Sequence, residues 1–159
     1  MKFFFSLKSL FIGYFLLVYP NIYLAQKLPL WEEGLHAIKT RDHQEKVQII
    51  HFFATWCAPC MVELPVFDSL SIRFPNNKLE LTFICLDLKN SNMLGKKISK
   101  LNLPGKTYYL EPKQQNLSLI HLDWKGNLPA SIIYLPKIQN PKLIEGSKNF
   151  NFYSQIIHL

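Results

Sequence analysis

The chain has 159 residues, 48% of them hydrophobic and 14% aromatic, and its formal net charge at pH 7 is +7. This length is enough for one domain with a proper hydrophobic core and too short for two domains of ordinary size. The positive charge is spread along the chain without a dense basic run, and no nucleic-acid recognition module accompanies it. We therefore expect a solvated, mildly basic surface and no nucleic-acid partner.

Residues 1–25 are predicted to form a signal peptide for export. Two early lysines are followed by an apolar block from Leu10 to Tyr19. The block is short for a membrane span, and Ala25 offers a small residue at a possible cleavage site. Because Tyr23 stands where a small residue is usual, an uncleaved N-terminal anchor stays open as the alternative.

After this leader, hydrophobic periodicity predicts alternating helices and strands. The predicted helices are at about Leu30–Arg41, Cys57–Arg73, Asn92–Leu101, Gln114–Leu122 and Asn151–His158. The predicted strands are at Val47–Ala54, Leu79–Leu88, Thr107–Leu110, Ile132–Leu135 and Lys142–Glu145. The first strand is apolar throughout, which is typical of a strand buried on both faces of a sheet. The order of elements indicates an α/β fold with helices packed on a central sheet.

Two cysteines separated by two residues, Cys57 and Cys60, lie where the first predicted strand turns into a helix. At this position the helix dipole and the free N–H groups lower the pKa of the first thiol and favour a nucleophilic thiolate. A purely structural disulfide would gain little from so small a loop. A zinc site would need more ligands, but there is no second C-x-x-C and the 5 histidines show no paired spacing. The pattern therefore favours redox chemistry without a metal.

The sequence Trp-Cys-Ala-Pro-Cys at residues 56–60, placed after an apolar strand, resembles the thioredoxin superfamily. Glu-Leu-Pro at residues 63–65 is similar to its TlpA/ResA-like branch. The resemblance implies that residues 26–159 form a thioredoxin-like three-layer α/β/α sandwich with a central mixed β-sheet. It also implies an extracytoplasmic thiol-disulfide oxidoreductase, periplasmic or similarly placed, with the Cys57–Cys60 disulfide as its redox group and no other cofactor.

The same resemblance suggests a role for each residue of the site. Cys57 is expected to attack a substrate disulfide, and Cys60 to resolve the mixed disulfide. Glu63 lies one helical turn beyond Cys60 and could influence proton transfer, although a solvated helix carboxylate is the alternative. His51 stands where thioredoxins commonly have a buried acid; it could relay the proton of Cys60, or be a core histidine with satisfied hydrogen bonds.

Substrate contacts are expected from two segments. Trp56, Ala58 and Pro59 surround Cys57 in the sequence. Leu128 and Pro129 stand where the family has its cis-proline, which would let the Leu128 backbone pair with a substrate strand. An ordinary trans proline at the start of a strand is the alternative. The third cysteine, Cys85, lies in an apolar strand and is expected to be an inert core residue.

The function that these features favour is an exported reductase of protein disulfides, with cytochrome c maturation as one possible pathway. The Ala58-Pro59 pair resembles thioredoxin's Gly-Pro, which favours a reductant over an oxidant. Because an exported dithiol must be kept reduced, a membrane electron donor of the DsbD/CcdA type is the expected partner. The membrane itself would be contacted only through an uncleaved N-terminal segment. A disulfide oxidant and a copper(I)-binding module on the same scaffold are the alternatives.

Overall fold

The computed structural model describes residues 27–31, 46–111, 121 and 123–158, which form a five-stranded sheet with helices. In chain order the elements are β1 Val47–Phe53, α1 Ala58–Arg73, β2 Leu79–Cys85, α2 Asn92–Ser99, β3 Lys106–Tyr109, β4 Ala130–Tyr134, β5 Lys142–Glu145 and α3 Phe150–Ile157. The strand order is β3-β2-β1-β4-β5. β1, β2 and β3 are parallel, whereas β4 is antiparallel to both β1 and β5. The mixed central sheet that the sequence predicts is therefore confirmed.

Three predicted features fall wholly or mostly outside the described residues. These are the signal peptide at residues 1–25 and the helices at Leu30–Arg41 and Gln114–Leu122. Within the part of the chain that the structure describes, no helix is long and apolar enough to cross a membrane.

The predicted first helix is wrong at its start. Leu30 forms an isolated parallel bridge with Tyr109, and the Trp31 N–H donates to the Tyr109 carbonyl oxygen at 2.9 Å. These two residues are therefore extended along β3, where they satisfy backbone groups that this edge strand would otherwise leave unpaired. The remainder of that predicted helix lies outside the described residues.

The second strand ends earlier than its apolar run predicts. β2 stops at Cys85, because Asp87 turns towards the loop after β1 and accepts hydrogen bonds from the backbone N–H and the hydroxyl of Thr55, both at 2.7 Å. Leu88, which the prediction placed at the end of the strand, is 81% exposed. A polar contact between two loops thus overrides the local hydrophobic pattern.

β1 is buried along its whole length and separates two hydrophobic clusters. One cluster joins the sheet to α1, α2 and α3, and its members include Phe53, Cys57, Cys60, Phe67, Phe83, Leu94, Ile98 and Tyr153. The other lies on the opposite face, and its members include Ile50, Phe52, Ile84, Leu110, Trp124 and Ile132. Each fully buried large apolar side chain contributes about 1.5–3 kcal/mol to stability. The dithiol therefore belongs to the core that α1 and α3 share with the sheet.

The helix α1 continues through Pro65, although proline cannot donate the helical hydrogen bond to the Met61 carbonyl oxygen. Pro65 lies on the exposed side of the helix, where water can satisfy that carbonyl. On the opposite side Leu64, Phe67 and Leu70 are buried against the sheet. The packing of this face keeps the helix intact, and so holds its N-terminus at the end of β1.

Cys85 is a free, fully buried thiol at the end of β2. Its Sγ donates to Asp87 Oδ1 at 3.3 Å, and burial raises the pKa of the thiol to about 12. A thiol in this state is neither exposed nor ionised at neutral pH, so its expected place in the core agrees with the structure.

We therefore expect Cys85 to resist labelling in the native protein. The oxidised protein, with the Cys57–Cys60 disulfide intact, should react with almost no thiol reagent at pH 8, and with one equivalent after unfolding in guanidinium chloride. Reduction under native conditions is the control, because it should add the dithiol but not Cys85. Rapid labelling of Cys85 in the folded, oxidised protein would contradict this placement.

Candidate active site

The two cysteines form a disulfide at the N-terminus of α1, with a Cα–Cα distance of 5.3 Å. The helix was predicted to begin at Cys57, but Cys57 is its N-cap, with an extended backbone at φ −84° and ψ 99°. Pro59 then occupies the first turn, where a missing N–H costs no helical hydrogen bond. The Sγ of Cys57 accepts the Cys60 N–H at 3.3 Å and so takes the place of the usual capping oxygen.

This capping position determines what the sulfur can do. The free N–H groups of the first turn and the helix dipole favour negative charge at the Cys57 Sγ. Cys57 keeps 5% of its surface exposed, whereas Cys60 is completely buried. Cys57 is thus the sulfur that a substrate can approach, and Cys60 lies behind it.

The residues around the dithiol form an exposed rim. Trp56 is 67% exposed, and Ala58 and Pro59 are exposed as well. Two hydrogen bonds from Thr55 to Asp87 fix the turn that carries these residues. Lys97 Nζ also donates to the Thr55 carbonyl oxygen, at 3.3 Å. An apolar surface held on a rigid turn is suited to contact with another protein.

The Leu128–Pro129 peptide bond is cis. An ordinary trans proline at this position is therefore excluded. The next residue, Ala130, pairs with Phe52 near the end of β1, so the cis peptide lies at the same edge of the sheet as the dithiol. The Pro129 carbonyl oxygen accepts the Gly146 N–H at 2.8 Å, which ties this loop to the end of β5.

Trp124, to which the sequence analysis gave no role, supports the loop before the cis peptide. It is buried, and its Nε1 donates to the Asn127 carbonyl oxygen at 3.1 Å. Its ring packs on Phe52 with centroids 4.5 Å apart. The sequence signal that could have indicated this role is a tryptophan within a loop, because its indole N–H needs a hydrogen-bond partner.

Glu63 is buried, with 1% of its surface exposed, so the alternative of a solvated carboxylate is wrong. Its Oε1 accepts the hydroxyl of Tyr153 at 2.8 Å and the backbone N–H of Lys148 at 2.9 Å, while Oε2 has no hydrogen-bond partner among the described residues. Burial raises the pKa of Glu63, and the two hydrogen bonds and the charge of Lys148 oppose that rise. Glu63 shares the buried face of α1 with Cys60, one turn away.

His51 is also buried, on the same side of the sheet. Its Nδ1 lies 2.9 Å from Ser131 Oγ, and Ser131 Oγ lies 2.9 Å from the hydroxyl of Tyr153. Its ring packs on Phe67 with centroids 4.5 Å apart, and burial lowers its pKa to about 3. His51 is therefore neutral at physiological pH, and the described contacts connect it to Glu63 through two hydroxyl groups.

Ser131 and Tyr153 are site residues that the sequence analysis did not identify. Ser131 follows the cis-proline by two residues, and Tyr153 lies on the buried side of the C-terminal helix. A tyrosine on an otherwise apolar helix face needs a partner for its hydroxyl, and this is the signal that the sequence contained.

No group of three or more His, Cys, Asp or Glu side chains that could hold a metal ion occurs within the described residues. The disulfide is thus the reactive group that the described site contains. Its surroundings are a helix N-terminus, a buried carboxyl and an exposed apolar rim.

Comparison with curated proteins finds relatives named as thioredoxins. The thioredoxin-like protein CITRX, chloroplastic, of Oryza sativa subsp. indica is 30% identical over 93 residues, which are 58% of this chain and 46% of that protein. The chain therefore spans about half the length of the rice relative that it matches.

Solved structures share the fold. A thioredoxin-related protein from Neisseria meningitidis serogroup B matches with a TM-score of 0.60 and 22% identity, over 70% of this chain and 82% of that one. A secreted Mycobacterium tuberculosis disulfide oxidoreductase, described as homologous to E. coli DsbE, matches with a TM-score of 0.55 and 17% identity, over 72% of this chain and 82% of that one. The thioredoxin-like fold that the sequence predicts is confirmed.

The profile of the thioredoxin family matches residues 35–118, which include β1, the whole dithiol segment and the strands β2 and β3. This match covers more than half of the chain and includes the motif on which the predicted resemblance was based. The protein belongs to the thioredoxin family.

Proposed function

We propose that this protein is an exported thiol-disulfide oxidoreductase that reduces disulfides in protein substrates. The observation that carries the proposal is the position of Cys57 Sγ, which caps α1 and accepts the Cys60 N–H at 3.3 Å. A sulfur at a helix N-terminus is activated as a thiolate, and it is followed one turn later by a second sulfur that can displace it. The exposed rim around it provides a surface for a macromolecular substrate.

The reaction begins from the reduced protein. The Cys57 thiolate attacks one sulfur of a substrate disulfide, forms a mixed disulfide, and releases the other substrate sulfur as a thiolate that takes up a proton. Cys60 then loses its proton and attacks Cys57 Sγ, which restores the Cys57–Cys60 disulfide and frees the second substrate sulfur. Two electrons pass from the protein to the substrate. Glu63, one helical turn from Cys60 on the same buried helix face, is the candidate to receive the proton of Cys60.

Substrate binding would use the rim and the cis-proline loop. A cis peptide turns the preceding backbone outward, so the N–H and C=O of Leu128 can pair with an extended substrate segment. The exposed side chains of Trp56, Ala58 and Pro59 would contact apolar residues beside the substrate cysteine. Backbone pairing with apolar contacts would accept many sequences, as a general reductase requires.

The direction of electron flow follows from how well the thiolate is stabilised. Strong oxidants of this kind owe their potential to a highly stabilised reduced form. Here the buried carboxyl of Glu63 opposes a thiolate when it is ionised, and Ala58-Pro59 resembles the dipeptide of thioredoxin. Both features support a reductant.

Export and a membrane partner form part of the same proposal. The apolar leader and the fold shared with a secreted oxidoreductase support an extracytoplasmic location. A reductant in that location needs electrons from the cytosol, which a membrane carrier of the DsbD/CcdA type would supply. Cytochrome c maturation is a candidate pathway by family resemblance.

Copper(I) binding is the competing function from another class, because two thiolates suit that soft ion. The test is the reduction of a disulfide-bonded peptide by protein that has been stripped of metal and kept with a copper(I) chelator. A reductase keeps its full rate under these conditions. A copper-delivery module shows no turnover but binds copper(I) tightly through the dithiol.

Replacement of the two cysteines should separate their roles. We expect Cys57→Ser to abolish reduction of the peptide, whereas Cys60→Ser should still attack and should accumulate a mixed disulfide, since its resolving sulfur is gone. Mass spectrometry of the non-reduced protein detects that adduct. Cys85→Ala is the matched control and should keep the native rate. Turnover by Cys57→Ser, with no adduct on Cys60→Ser, would reverse the assignment.

The reduction potential should identify the protein as a reductant. We expect a value below about −200 mV, closer to thioredoxin at about −270 mV than to DsbA at about −120 mV. Equilibration with glutathione buffers, followed by thiol trapping, measures it. In cells the pair should be reduced, and should accumulate oxidised when the membrane electron carrier is deleted. A potential near that of DsbA would instead establish the oxidant.

A further inference from the structure

One continuous hydrogen-bond chain crosses the buried interior between the sheet and the helices. It joins four side chains from four elements: His51 of β1, Ser131 of β4, Tyr153 of α3 and Glu63 of α1. The three links are 2.9, 2.9 and 2.8 Å long, and each of the four residues is 1% exposed. A fully buried polar chain of this length is costly unless its members are consistently paired.

While Glu63 is ionised, the hydrogens in this hydrogen-bond chain have one consistent direction. Tyr153 donates its hydroxyl hydrogen to Glu63 Oε1. Its oxygen must then accept from Ser131, and Ser131 must in turn accept from His51 Nδ1, because each hydroxyl has a single hydrogen. With Glu63 ionised, His51 therefore carries its proton on Nδ1, and all three hydrogens point towards the Glu63 carboxylate. Such an arrangement polarises successive hydrogen bonds in the same sense. The buried Nε2 of His51 has no hydrogen-bond partner among the described residues.

Several groups face Glu63 from the surrounding elements. Among the described side chains, Tyr153 of this hydrogen-bond chain is the one that donates to its carboxylate. From α3, Glu63 meets the Tyr153 hydroxyl, and from the segment before α3 it meets the backbone N–H of Lys148. The ammonium of Lys148 donates to the Glu145 carbonyl oxygen at 2.9 Å and not to the carboxylate, but its charge also lowers the pKa of Glu63. Along α1, Cys60 lies one helical turn away and can ionise only in the reduced protein. From β1, His51 faces the hydrogen-bond chain as a neutral donor.

The two oxygens of Glu63 are in different situations. Oε1 accepts two hydrogen bonds, whereas Oε2 is buried and has no partner among the described residues. A proton that arrives at this carboxylate will therefore be placed on Oε2, the oxygen whose lone pairs are free. The hydrogen-bond chain thus binds Oε1 and leaves Oε2 to take the proton.

We propose that Tyr153, Ser131 and His51 are positioning residues that hold Glu63 as a carboxylate ready to accept the proton of Cys60. They touch neither the substrate nor the sulfur atoms in the described contacts, and they act through Glu63. The redox consequence rests on the proposed reductase function. The effect of the hydrogen-bond chain on the pKa of Glu63 does not rest on that function. It can be measured in the oxidised protein, in which the dithiol cannot titrate.

The sign of the effect follows from the hydrogen bond to Oε1. A donor to the charged form of a carboxyl favours that form, so removal of the Tyr153 hydroxyl raises the pKa of Glu63. At a given pH a larger fraction of Glu63 is then already protonated and cannot take the proton of Cys60. The rate at which Cys60 resolves the mixed disulfide should therefore reach its maximum only at a higher pH.

The first experiment measures the titration of Glu63 by NMR, from the ¹³C shift of its carboxyl group in the oxidised full-length protein. Glu63→Gln, which lacks the signal, assigns it. We expect Tyr153→Phe to move the midpoint upward by about one pH unit, a roughly tenfold change in proton affinity. Tyr109→Phe is the matched control. It removes the hydroxyl of another buried tyrosine, on β3 and outside the hydrogen-bond chain, and should leave the midpoint unchanged.

The second experiment tests the far end of the chain. His51→Asn keeps an N–H group close to the position of Nδ1, whereas His51→Leu removes the donor. We expect His51→Leu to raise the Glu63 midpoint, by less than Tyr153→Phe does, and His51→Asn to restore the native value. A purely structural role in the core would not distinguish these variants in this way. Should Tyr153→Phe fail to fold, as judged by circular dichroism, Ser131→Ala interrupts the same chain and should shift the midpoint in the same direction.

The outcomes separate this inference from the proposed function. An unchanged Glu63 midpoint in folded Tyr153→Phe overturns the inference, even when the protein reduces disulfides at the native rate. A shifted midpoint in a protein that reduces no disulfide supports the role of the hydrogen-bond chain and overturns the proposed reductase function. When both the hydrogen-bond chain and the reductase function are supported, the rate of mixed-disulfide resolution is measured against pH by stopped flow. Its profile should shift to higher pH in Tyr153→Phe and stay unchanged in Tyr109→Phe.

Discussion

The burial of one carboxyl group, that of Glu63, constrains the rest of the active-site region. A carboxylate removed from water costs several kcal/mol unless hydrogen-bond donors replace the solvent. The donors come from the C-terminal part of the chain, where Tyr153 and the Lys148 backbone lie. These contacts hold α3 against α1 at the end of the helix that carries the dithiol. The position of the last helix is thus determined by polar requirements as well as by apolar packing.

Two opposing electrostatic effects meet at the dithiol. The N-terminus of α1 stabilises a thiolate at Cys57 by about 0.3–1 kcal/mol, and by up to roughly 2 kcal/mol when partly buried. Two like charges about 6 Å apart, a typical separation across one helical turn, repel by roughly 3 kcal/mol at an effective dielectric constant of about 20. At that separation, an ionised Glu63 would outweigh the effect of the helix N-terminus on a thiolate at Cys60, one helical turn away. Burial raises the pKa of Glu63, and protonation of this group would relieve the repulsion. In the proposed reductase, electron transfer would thus be coupled to proton transfer.

The fold and the dithiol were predictable from local sequence, because both depend on features within short segments. A continuous apolar run identifies β1, and two cysteines before an amphipathic stretch identify the helix start. What failed depends on contacts between segments distant in sequence. β2 ends early because Asp87 binds Thr55, 32 residues away, and Leu30 pairs with an edge strand near Tyr109.

The polar interior of the site was predictable only in part, for the same reason. The sequence singled out His51 and Glu63 but could not join them, since the links run through residues 80, 22 and 90 positions apart. Nothing in the local pattern distinguishes Ser131 from any other strand serine, or Tyr153 from a packing aromatic. The geometry of the folded chain is what turns four separate side chains into one unit.

A histidine at position 51 fits the direction of the hydrogen bonds that lead to Glu63. An acid at position 51 would not fit it. Thioredoxins, by the resemblance noted above, commonly carry a buried acid there. A carboxylate at 51 would accept the Ser131 hydrogen, while Glu63 still accepts that of Tyr153. The two hydroxyl oxygens, 2.9 Å apart, would then face each other with no hydrogen between them. A neutral histidine, whose pKa burial lowers to about 3, supplies a donor instead and adds no second buried charge. A histidine in place of an acid at position 51 thus leaves the buried charge on α1, one helical turn from Cys60.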